Sequence, residues 1–390
     1  MNSVAEIQDA VRAAKRVRVR GGGSKPALSL RNCQDDAQTL DLSTLKGVVD
    51  YQPDEYTFTA RAGTRVADIA ALLAEERQYL PFDPPLAERG ATLGGTVAAG
   101  LSGAGRYRYG GVRDFLIGIR FVDGRGQEIR GGGTVVKNAA GFDFPKLFVG
   151  SLGRLGILTE LTFKVFPQPA AFATVAAEFD GLSDLLSALD AVTRSAIDLH
   201  AVDFAPAEQG WTLWVRIGGL PTVLQERAQA LQSVLSAGVR RTGRLSLHRE
   251  QEEESLWKTA RSMQWLTEGV GLVRVPLTPQ RVPAVEEALS GSQAATRRYS
   301  VGGNLLWLGW PDETAPERGE QDAPQDLHTL LLDLDLQGIR LIGRARRERA
   351  DRGDDNIEGD RGPLLGRPLQ NAFLRRIAAA LDPERKFESW

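Results

Sequence analysis

Three dense clusters of glycine lie in the first half of the chain and restrict its fold more than any other feature. They are Arg20-Gly21-Gly22-Gly23-Ser24, the segment from Ala91 to Gly100, and the segment from Val135 to Glu160, in which Gly150, Gly153 and Gly156 recur. Because glycine has no Cβ, the backbone at these positions can approach other backbone or a ligand closely. We therefore expect the three clusters to converge on one large, flat ligand.

The first cluster follows an alternating stretch from Val17 to Arg20, which predicts a strand. Consecutive glycine N–H groups can point to one side and form an anion-binding concavity, to which Ser24 and Lys25 would add a hydroxyl and a charge. The cluster therefore predicts a phosphate-binding loop, with an ordinary glycine-rich turn as the alternative. It matches neither the P-loop pattern nor the glycine pattern that opens a Rossmann helix, which excludes both interpretations.

Periodicity predicts the elements around these clusters. In the first half, the expected elements are a helix over residues 3–15 capped by Ser3, strands over 48–51, 56–60, 115–122 and 159–166, and a helix that begins near Val66. Pro81, Pro84 and Pro85 predict a rigid extended loop. Pro167 and Pro169 end the last strand and mark the predicted domain boundary.

The second half alternates strands and helices without glycine clusters, as expected for a domain that covers a substrate or faces a partner. The predicted strands cover residues 173–179, 201–204 and 211–217, and the predicted helices cover 182–192 and 223–235. The acidic run from Gln251 to Glu254 is predicted to be the solvated start of a helix. The basic cluster from Arg344 to Arg349 is interpreted as a mixed-charge surface, because acidic residues follow it directly.

Charge and cysteine content exclude several functional classes. Lys and Arg number 48 against 50 Asp and Glu, so no overall field would attract nucleic acid. One cysteine, Cys33, and three histidines make an internal disulfide impossible and a dedicated metal site unexpected. The start of the chain is acidic where a signal peptide would be apolar, and no run of about 18 apolar residues follows. We expect a cytoplasmic chain with no metal, no nucleic acid and no transmembrane segment.

The order of the motifs resembles the vanillyl-alcohol-oxidase (PCMH) type FAD-binding family. The motifs are Arg20-Gly21-Gly22-Gly23-Ser24, Pro81 and Pro84, Thr92-Leu93-Gly94-Gly95-Thr96, Gly100, Arg108-Tyr109-Gly110, Asp123-Gly124, and Gly150 to Ile157. Within that family, Lys137 to Asp143 resembles a segment of the FAD-binding accessory subunit of bacterial glycolate oxidase.

The resemblance implies an α+β fold: a PCMH-type FAD-binding domain of two subdomains over residues 1–168, a second α+β domain over 169–365, and a C-terminal helix and tail over 366–390 that return to the first domain. The first glycine loop would hold the FAD pyrophosphate, and the other two clusters would flank the flavin. The cofactor-binding residues implied are Arg20, Gly21, Gly22, Gly23, Ser24, Lys25, Pro84, Thr92, Leu93, Gly94, Gly95, Thr96, Gly100, Gly103, Tyr109, Gly110, Asp114, Gly150, Gly153, Gly156 and Ile157.

Some members of this family attach FAD covalently through a histidine in the first glycine loop, with or without a cysteine. Residues 20–25 contain no histidine, and Cys33 lies outside the loop, so we expect non-covalent FAD. The resemblance further implies an oxidoreductase subunit that works beside a catalytic flavin subunit and an iron–sulfur subunit on glycolate or another small 2-hydroxy acid. Such a complex would be cytoplasmic or peripheral at the inner membrane face.

The sequence does not supply the expected catalytic groups for that reaction. The histidine-rich metal-binding motif that relatives oxidising 2-hydroxy acids carry is missing, and His200, His248 and His328 are scattered. A 2-hydroxy acid requires a base for its hydroxyl and a cation for its carboxylate. Arg274 is the candidate carboxylate ligand, and no base stands out. Two alternatives stay open: an oxidoreductase that is active alone, and a flavin-empty scaffold subunit, against which the retained glycines argue.

Overall fold

A computed structural model describes residues 1–29, 36–133, 143–237, 243–267, 269–290, 296–311, 326–343, 362–368 and 372–387. Cys33, most of the segment from Lys137 to Asp143, and the basic cluster from Arg344 to Arg349 lie outside these residues. In the described part, no helix combines the length and the apolar character needed to cross a bilayer.

The first half contains six short α-helices and nine strands in its described residues. The helices are α1 (Val4–Ala13), α2 (Val66–Glu75), α3 (Leu93–Ala99), α4 (Arg106–Tyr109), α5 (Val112–Phe115) and α6 (Phe144–Phe148). The strands are β1 (Arg16–Arg20), β2 (Ala37–Asp41), β3 (Val48–Gln52), β4 (Thr57–Arg61), β5 (Gln78–Tyr79), β6 (Leu116–Val122), β7 (Glu128–Gly132), β8 (Ile157–Lys164) and β9 (Phe166–Pro167). The elements predicted from periodicity are present, and Ser3 caps α1 by accepting from the Glu6 N–H.

Two sheets position the glycine clusters in this half. β1 and β2 form a parallel pair, and β3, β4, β8, β6 and β7 form an antiparallel sheet in that order. Apolar side chains from α2, α3 and this sheet form one core, in which the rings of Phe58 and Phe163 stack with centroids 5.5 Å apart. The first glycine cluster follows β1, the second forms α3, and the third precedes β8.

The second half is built on one large sheet. Its helices are α7 (Leu182–Thr193), α8 (Pro221–Ala237), α9 (Glu250–Ser262), α10 (Val282–Leu289) and α11 (Leu327–Asp333). Its strands are β10 (Ala171–Phe179), β11 (Ala201–Pro206), β12 (Trp211–Gly219), β13 (Leu245–Arg249), β14 (Val270–Pro276), β15 (Arg297–Ser300), β16 (Leu305–Pro311), β17 (Gln337–Ile342) and β18 (Leu364–Gly366). They pair in the order β13-β10-β12-β11-β15-β16-β14-β17-β18.

The two faces of the nine-stranded sheet have different neighbours. One face packs against α7, α8, α10 and α11 through alternating apolar residues such as Val175, Val215 and Leu308. The other face carries Leu272, Leu305 and Trp307 into the core of the first half, and α9 covers part of it. Residues on alternate sides of one strand therefore serve two different cores.

The end of the described chain returns to the first half. Helix α12 (Ala372–Leu381) packs Ile377 and Leu381 against the first-half core, and the N–H of Val17 donates to the carbonyl of Lys386 at 2.8 Å. This confirms the expected return. The helix covers only part of the expected C-terminal segment 366–390, because residues 364–366 pair with β17 and Asp382-Pro383 follows its last turn. The domain boundary at residue 168 stays a prediction.

Candidate cofactor site

The first glycine loop lies directly against the second cluster. The loop continues from β1, and a Cβ on Gly21 would lie 2.6 Å from the Oγ1 of Thr92. A Cβ on Gly22 would overlap the carbonyl oxygen of Gly90. Gly22 and Gly23 are exposed, and Gly23 has a φ of +72°. The loop is therefore fixed on one side by protein and open on the other.

Lys25 places a buried cation between the same two clusters. Its side chain is 8% exposed, and its Nζ donates to the Oγ of Ser24 at 3.0 Å. The Nζ lies 3.6 Å from the position that a Cβ on Gly95 would occupy. Burial lowers the pKa of Lys25 to about 8. No carboxylate in the described residues pairs with it, so this ammonium group has donors left for an anion.

The second cluster forms α3 and the turn after it. Thr92 caps the helix by accepting from the N–H of Gly95 at 3.3 Å. A Cβ on Gly94 would lie 2.8 Å from the Cβ of Ala62, so Gly94 allows the helix to pack on the turn after β4. A Cβ on Gly103 would overlap the carbonyl of Asp83, so this glycine allows the chain to pack against the proline-rich loop.

The third cluster lies beside the second and faces open space. The Gly150 N–H donates to the Val97 carbonyl at 3.0 Å, and the Leu152 N–H donates to the Ala98 carbonyl at 2.8 Å. Gly150 and Gly153 have φ values of +81° and +78°, and no described atom lies within 4 Å of either Cβ position. Gly156 instead packs against Phe121. The wall formed by Gly150 and Gly153 could therefore accept a flat group at close range.

Two hydroxyls in these walls have no hydrogen-bond partner among the described residues. They are the Oγ1 of Thr96 on α3 and the Oγ of Ser151, and each side chain is 2% exposed. Buried hydroxyls are normally hydrogen-bonded. Together with the open Cβ positions and the buried ammonium group, these atoms fit a large ligand that carries both phosphates and a polar planar ring.

The remaining predicted cofactor residues hold the walls in place. Leu93 and Ile157 are buried in apolar cores, and Pro84 belongs to the loop beneath Gly103. The Asp114 carboxylate accepts from the Gly111 N–H at 2.8 Å and so closes the turn that contains Gly110. Tyr109 packs its ring edge-on to the ring of His200. Contact of these side chains with a cofactor stays a prediction.

Arg274 reaches this site from the second half of the chain. Its Nη1 donates to the carbonyl of Gly100, at the end of α3, at 2.7 Å. Burial and the charge of Arg106 lower the pKa of Arg274 to about 10. No carboxylate in the described residues forms an ion pair with it. The sequence singled out Arg274 as a cation, but its contact with the second cluster could not be seen from the sequence.

A buried charged layer beneath α9 was missed by the sequence analysis. The acidic run does open α9, and Gln251, Glu252 and Glu254 are exposed, but the prediction is wrong for Glu253. The Glu253 side chain is 4% exposed and binds Arg216 through two contacts of 2.7 and 3.1 Å. Nearby, Asp203 accepts from the Nε of Arg298 and from Ser300, both at 2.8 Å. Burial raises the pKa of Asp203 against the opposing effect of Arg298. The only sequence signal was charged residues on strands that otherwise alternate apolar residues.

An open cavity of roughly 580 Å³ lies where the two halves meet near Tyr109. Its lining shares only Tyr109 with the predicted cofactor residues and is completed by Tyr107, Arg108, Phe166, Thr193, Ile197, Asp198 and Leu199. Arg108 and Asp198 pair at its edge. Over the described ranges, no group of three or more His, Cys, Asp and Glu side chains is placed to hold a metal ion.

Comparison with known proteins agrees with the geometry. Residues 1–132 match the family described as FAD binding domain. The glycolate oxidase subunit GlcE of Escherichia coli (strain K12) is 40% identical over 182 residues, which cover 47% of this chain and 51% of that protein. The glycolate oxidase subunit GlcD of Bacillus subtilis (strain 168) is 31% identical over 160 residues, which cover 41% of this chain and 32% of that protein. The chain thus spans about half the length of the first relative and about a third of the second.

The fold also has a counterpart among solved structures. A structure of alkyldihydroxyacetonephosphate synthase superposes with a TM-score of 0.68 at 15% sequence identity, covering 99% of this chain and 74% of that one. At this identity, the similarity shows the fold alone. The domain match over residues 1–132, together with the contiguous glycine clusters, indicates that this part of the chain resembles FAD-binding domains of oxidoreductases and that the cofactor is FAD.

Proposed function

We propose that this chain is a subunit of a multi-subunit dehydrogenase for glycolate or a related 2-hydroxy acid, and that it holds FAD without a covalent bond. The observation that carries the proposal is the contiguity of the three glycine clusters, with the open wall at Gly150 and Gly153 in the third cluster and the buried ammonium group of Lys25 between the first two. The relatives named as glycolate oxidase subunits support the substrate class.

The proposed cofactor contacts form two groups, one for the pyrophosphate and one for the flavin. The loop from Gly21 to Ser24 and the Lys25 ammonium group would hold the pyrophosphate, because both offer donors to an anion. The backbone at Gly95, Gly100, Gly150 and Gly153 would lie against the flavin and its ribityl chain. When bound, FAD supplies the redox chemistry, and the protein supplies orientation and electrostatics.

The proposed partners are a catalytic flavin subunit and an iron–sulfur subunit. The chain would receive or pass electrons within this complex, in the cytoplasm or at the inner face of the membrane. Co-expression of an affinity-tagged form with candidate subunits from the same source tests this. We expect a stable complex that oxidises glycolate with an artificial acceptor, while the single chain alone does not. Full turnover by the isolated chain would contradict the subunit role.

The state of the cofactor is tested by absorption spectra before and after acid precipitation. We expect a yellow protein whose flavin appears in the supernatant, because the first glycine loop contains no histidine for a covalent link. A yellow pellet would contradict non-covalent binding. A colourless protein that takes up no added FAD would instead support the flavin-empty scaffold.

The role of Lys25 is tested by the variant Lys25→Met. Loss of a charge-assisted hydrogen bond to the pyrophosphate costs about 1.5–3 kcal/mol, so we expect the Kd for FAD to rise by roughly 10- to 100-fold. Lys15→Met, on an exposed lysine, serves as the control and should leave the Kd unchanged. Equal FAD affinity in both variants and the parent protein would remove Lys25 from the site.

A second candidate function, an oxidoreductase that is active alone, is favoured by Arg274. A buried guanidinium group with no carboxylate partner in the described residues could bind the carboxylate of a 2-hydroxy acid. The deciding measurement is anaerobic titration of the isolated flavoprotein with glycolate and D-lactate. Bleaching of the flavin absorbance would support independent activity, and an unchanged spectrum would favour the subunit role.

A further inference from the structure

Arg274 lies in a row of side chains on the sheet face that meets the first half. On neighbouring strands, Arg274 pairs directly with Trp307, and Trp307 pairs with Arg298. Residues opposite each other in neighbouring strands project to the same face. Arg298 is neutralised by Asp203, and Trp307 is buried in the first-half core. Arg274 thus differs from its neighbour Arg298, because no acidic side chain in the described part of the chain compensates its charge.

The guanidinium group of Arg274 is fixed in place although it has no counter-ion. One donor, Nη1, is bound to the Gly100 carbonyl at 2.7 Å, while Nε is buried with no partner among the described residues. Burial, followed by the positive charge of Arg106, lowers the pKa of Arg274 to about 10. A buried cation in such surroundings is unfavourable unless an anion approaches it. The structure therefore supports a ligand whose charge is negative.

The Gly100 carbonyl connects Arg274 to the open wall. A Cβ on Gly100 would lie 3.2 Å from both the N and the Cα of Gly150, so the two backbones touch. Gly150 in turn faces open space. The positive charge of Arg274 is therefore one backbone layer away from the surface that we assign to the flavin. Charges that are separated by a thin layer of protein interact more strongly than the same charges in water.

We propose that Arg274 is a positioning residue that sets the reduction potential of the bound FAD: its positive charge stabilises the reduced, more negatively charged cofactor relative to the oxidised one. This inference depends on the proposed FAD site. Charge placed near a cofactor shifts its potential because the oxidised and reduced forms differ in charge. The Arg274 contact with the Gly100 carbonyl holds that charge at a fixed distance from the wall.

The test compares Arg274→Met and Arg274→Lys with the parent flavoprotein. The midpoint potential of the bound FAD is measured by reduction against reference dyes, and the Kd of oxidised FAD is measured separately by fluorescence quenching. We expect Arg274→Met to lower the potential, with the ratio of affinities for reduced and oxidised FAD falling about tenfold, which corresponds to about 30 mV for two electrons. Arg274→Lys keeps the charge and should retain most of the potential.

Arg281→Met is the matched control. Arg281 also donates to a backbone carbonyl, that of Leu334, but it is exposed. We expect no change in potential for this variant. An unchanged midpoint potential in folded, FAD-loaded Arg274→Met would overturn the inference. So would the finding that Arg274→Met weakens the binding of 2-hydroxy acids and leaves the potential as it is in the parent protein. Failure of the parent chain to bind FAD would overturn the proposed function and this inference together, and it is seen before any variant is made.

Discussion

The imidazole of His200 is enclosed between two aromatic rings. Its centroid lies 5.7 Å from that of Tyr109 and 5.4 Å from that of Phe172, both edge-on, and the residue is 5% exposed. Neither ring nitrogen has a hydrogen-bond partner among the described residues. Burial, followed by the charges of Arg108, Arg216 and Arg227, lowers the pKa of His200 to about 3. His200 is therefore packed as a neutral side chain among aromatic rings.

This environment predicts a specific loss of stability in acid. Between the ordinary pKa of about 6.5 and the folded value of about 3, the unfolded chain binds a proton that the folded chain does not, so stability falls as the pH falls through this window. At pH 5 this effect lowers the free energy of unfolding by about 2 kcal/mol relative to neutral pH. Replacement by His200→Leu should remove it. Urea unfolding of the parent protein and the variant at pH 7.5 and pH 5 measures how much stability each loses in acid. An equal loss in both would contradict the role of His200.

At the scale of elements, the glycine clusters were predictable, but the role of each glycine was not. The pattern of missing side chains indicated that the three segments converge, and the structure brings them together. Which glycine packs against protein depends on residues distant in sequence, such as Ala62 beneath Gly94, and no local pattern records that contact. Glu253 was misjudged for the same reason. Its partner Arg216 lies on β12, well before α9 in the chain, so the acidic run alone predicted a solvated helix start.

Substitutions at two matched glycines can distinguish an effect on cofactor binding from an effect of backbone strain. Gly153 and Gly269 have φ values of +78° and +77°, and no described atom lies within 4 Å of either Cβ position. Alanine in this left-handed conformation costs roughly 1–2 kcal/mol, so Gly153→Ala and Gly269→Ala should lose similar stability in the absence of FAD. Only Gly153→Ala adds a methyl group to the proposed flavin wall. Fluorescence titration should show weaker FAD binding for that variant alone, and equal binding by both would place the flavin elsewhere.

At the scale of the molecule, the first half is completed by residues near the far end of the chain. Asp382 is 5% exposed, and its carboxylate accepts from the N–H groups of Lys386 and Phe387 at 2.9 and 2.7 Å. The Lys386 ammonium group donates to the Val11 carbonyl at 2.8 Å. Phe387 packs with Ile7 and Val11. The terminal segment is thus an integral part of the core beneath β1.

Removal of this carboxylate should weaken the whole first half. Asp382→Ala leaves two buried N–H groups without their acceptor, which costs about 1–3 kcal/mol for each group that stays unpaired. We expect a lower thermal midpoint together with weaker retention of FAD. Asp335→Ala is the comparison, since the Asp335 side chain is 68% exposed and pairs only at the surface. Equal midpoints for the two variants would show that the terminal segment is dispensable.

The hydrogen bond between the Val17 N–H and the Lys386 carbonyl affects when the protein can bind its cofactor during synthesis. It secures the strand that leads into the first glycine loop, and its two partners come from opposite ends of the described chain. During translation, Val17 leaves the ribosome long before Lys386 has been made. The proposed nucleotide pocket would therefore be finished only after synthesis has passed Lys386, and we expect flavin insertion to follow translation rather than accompany it.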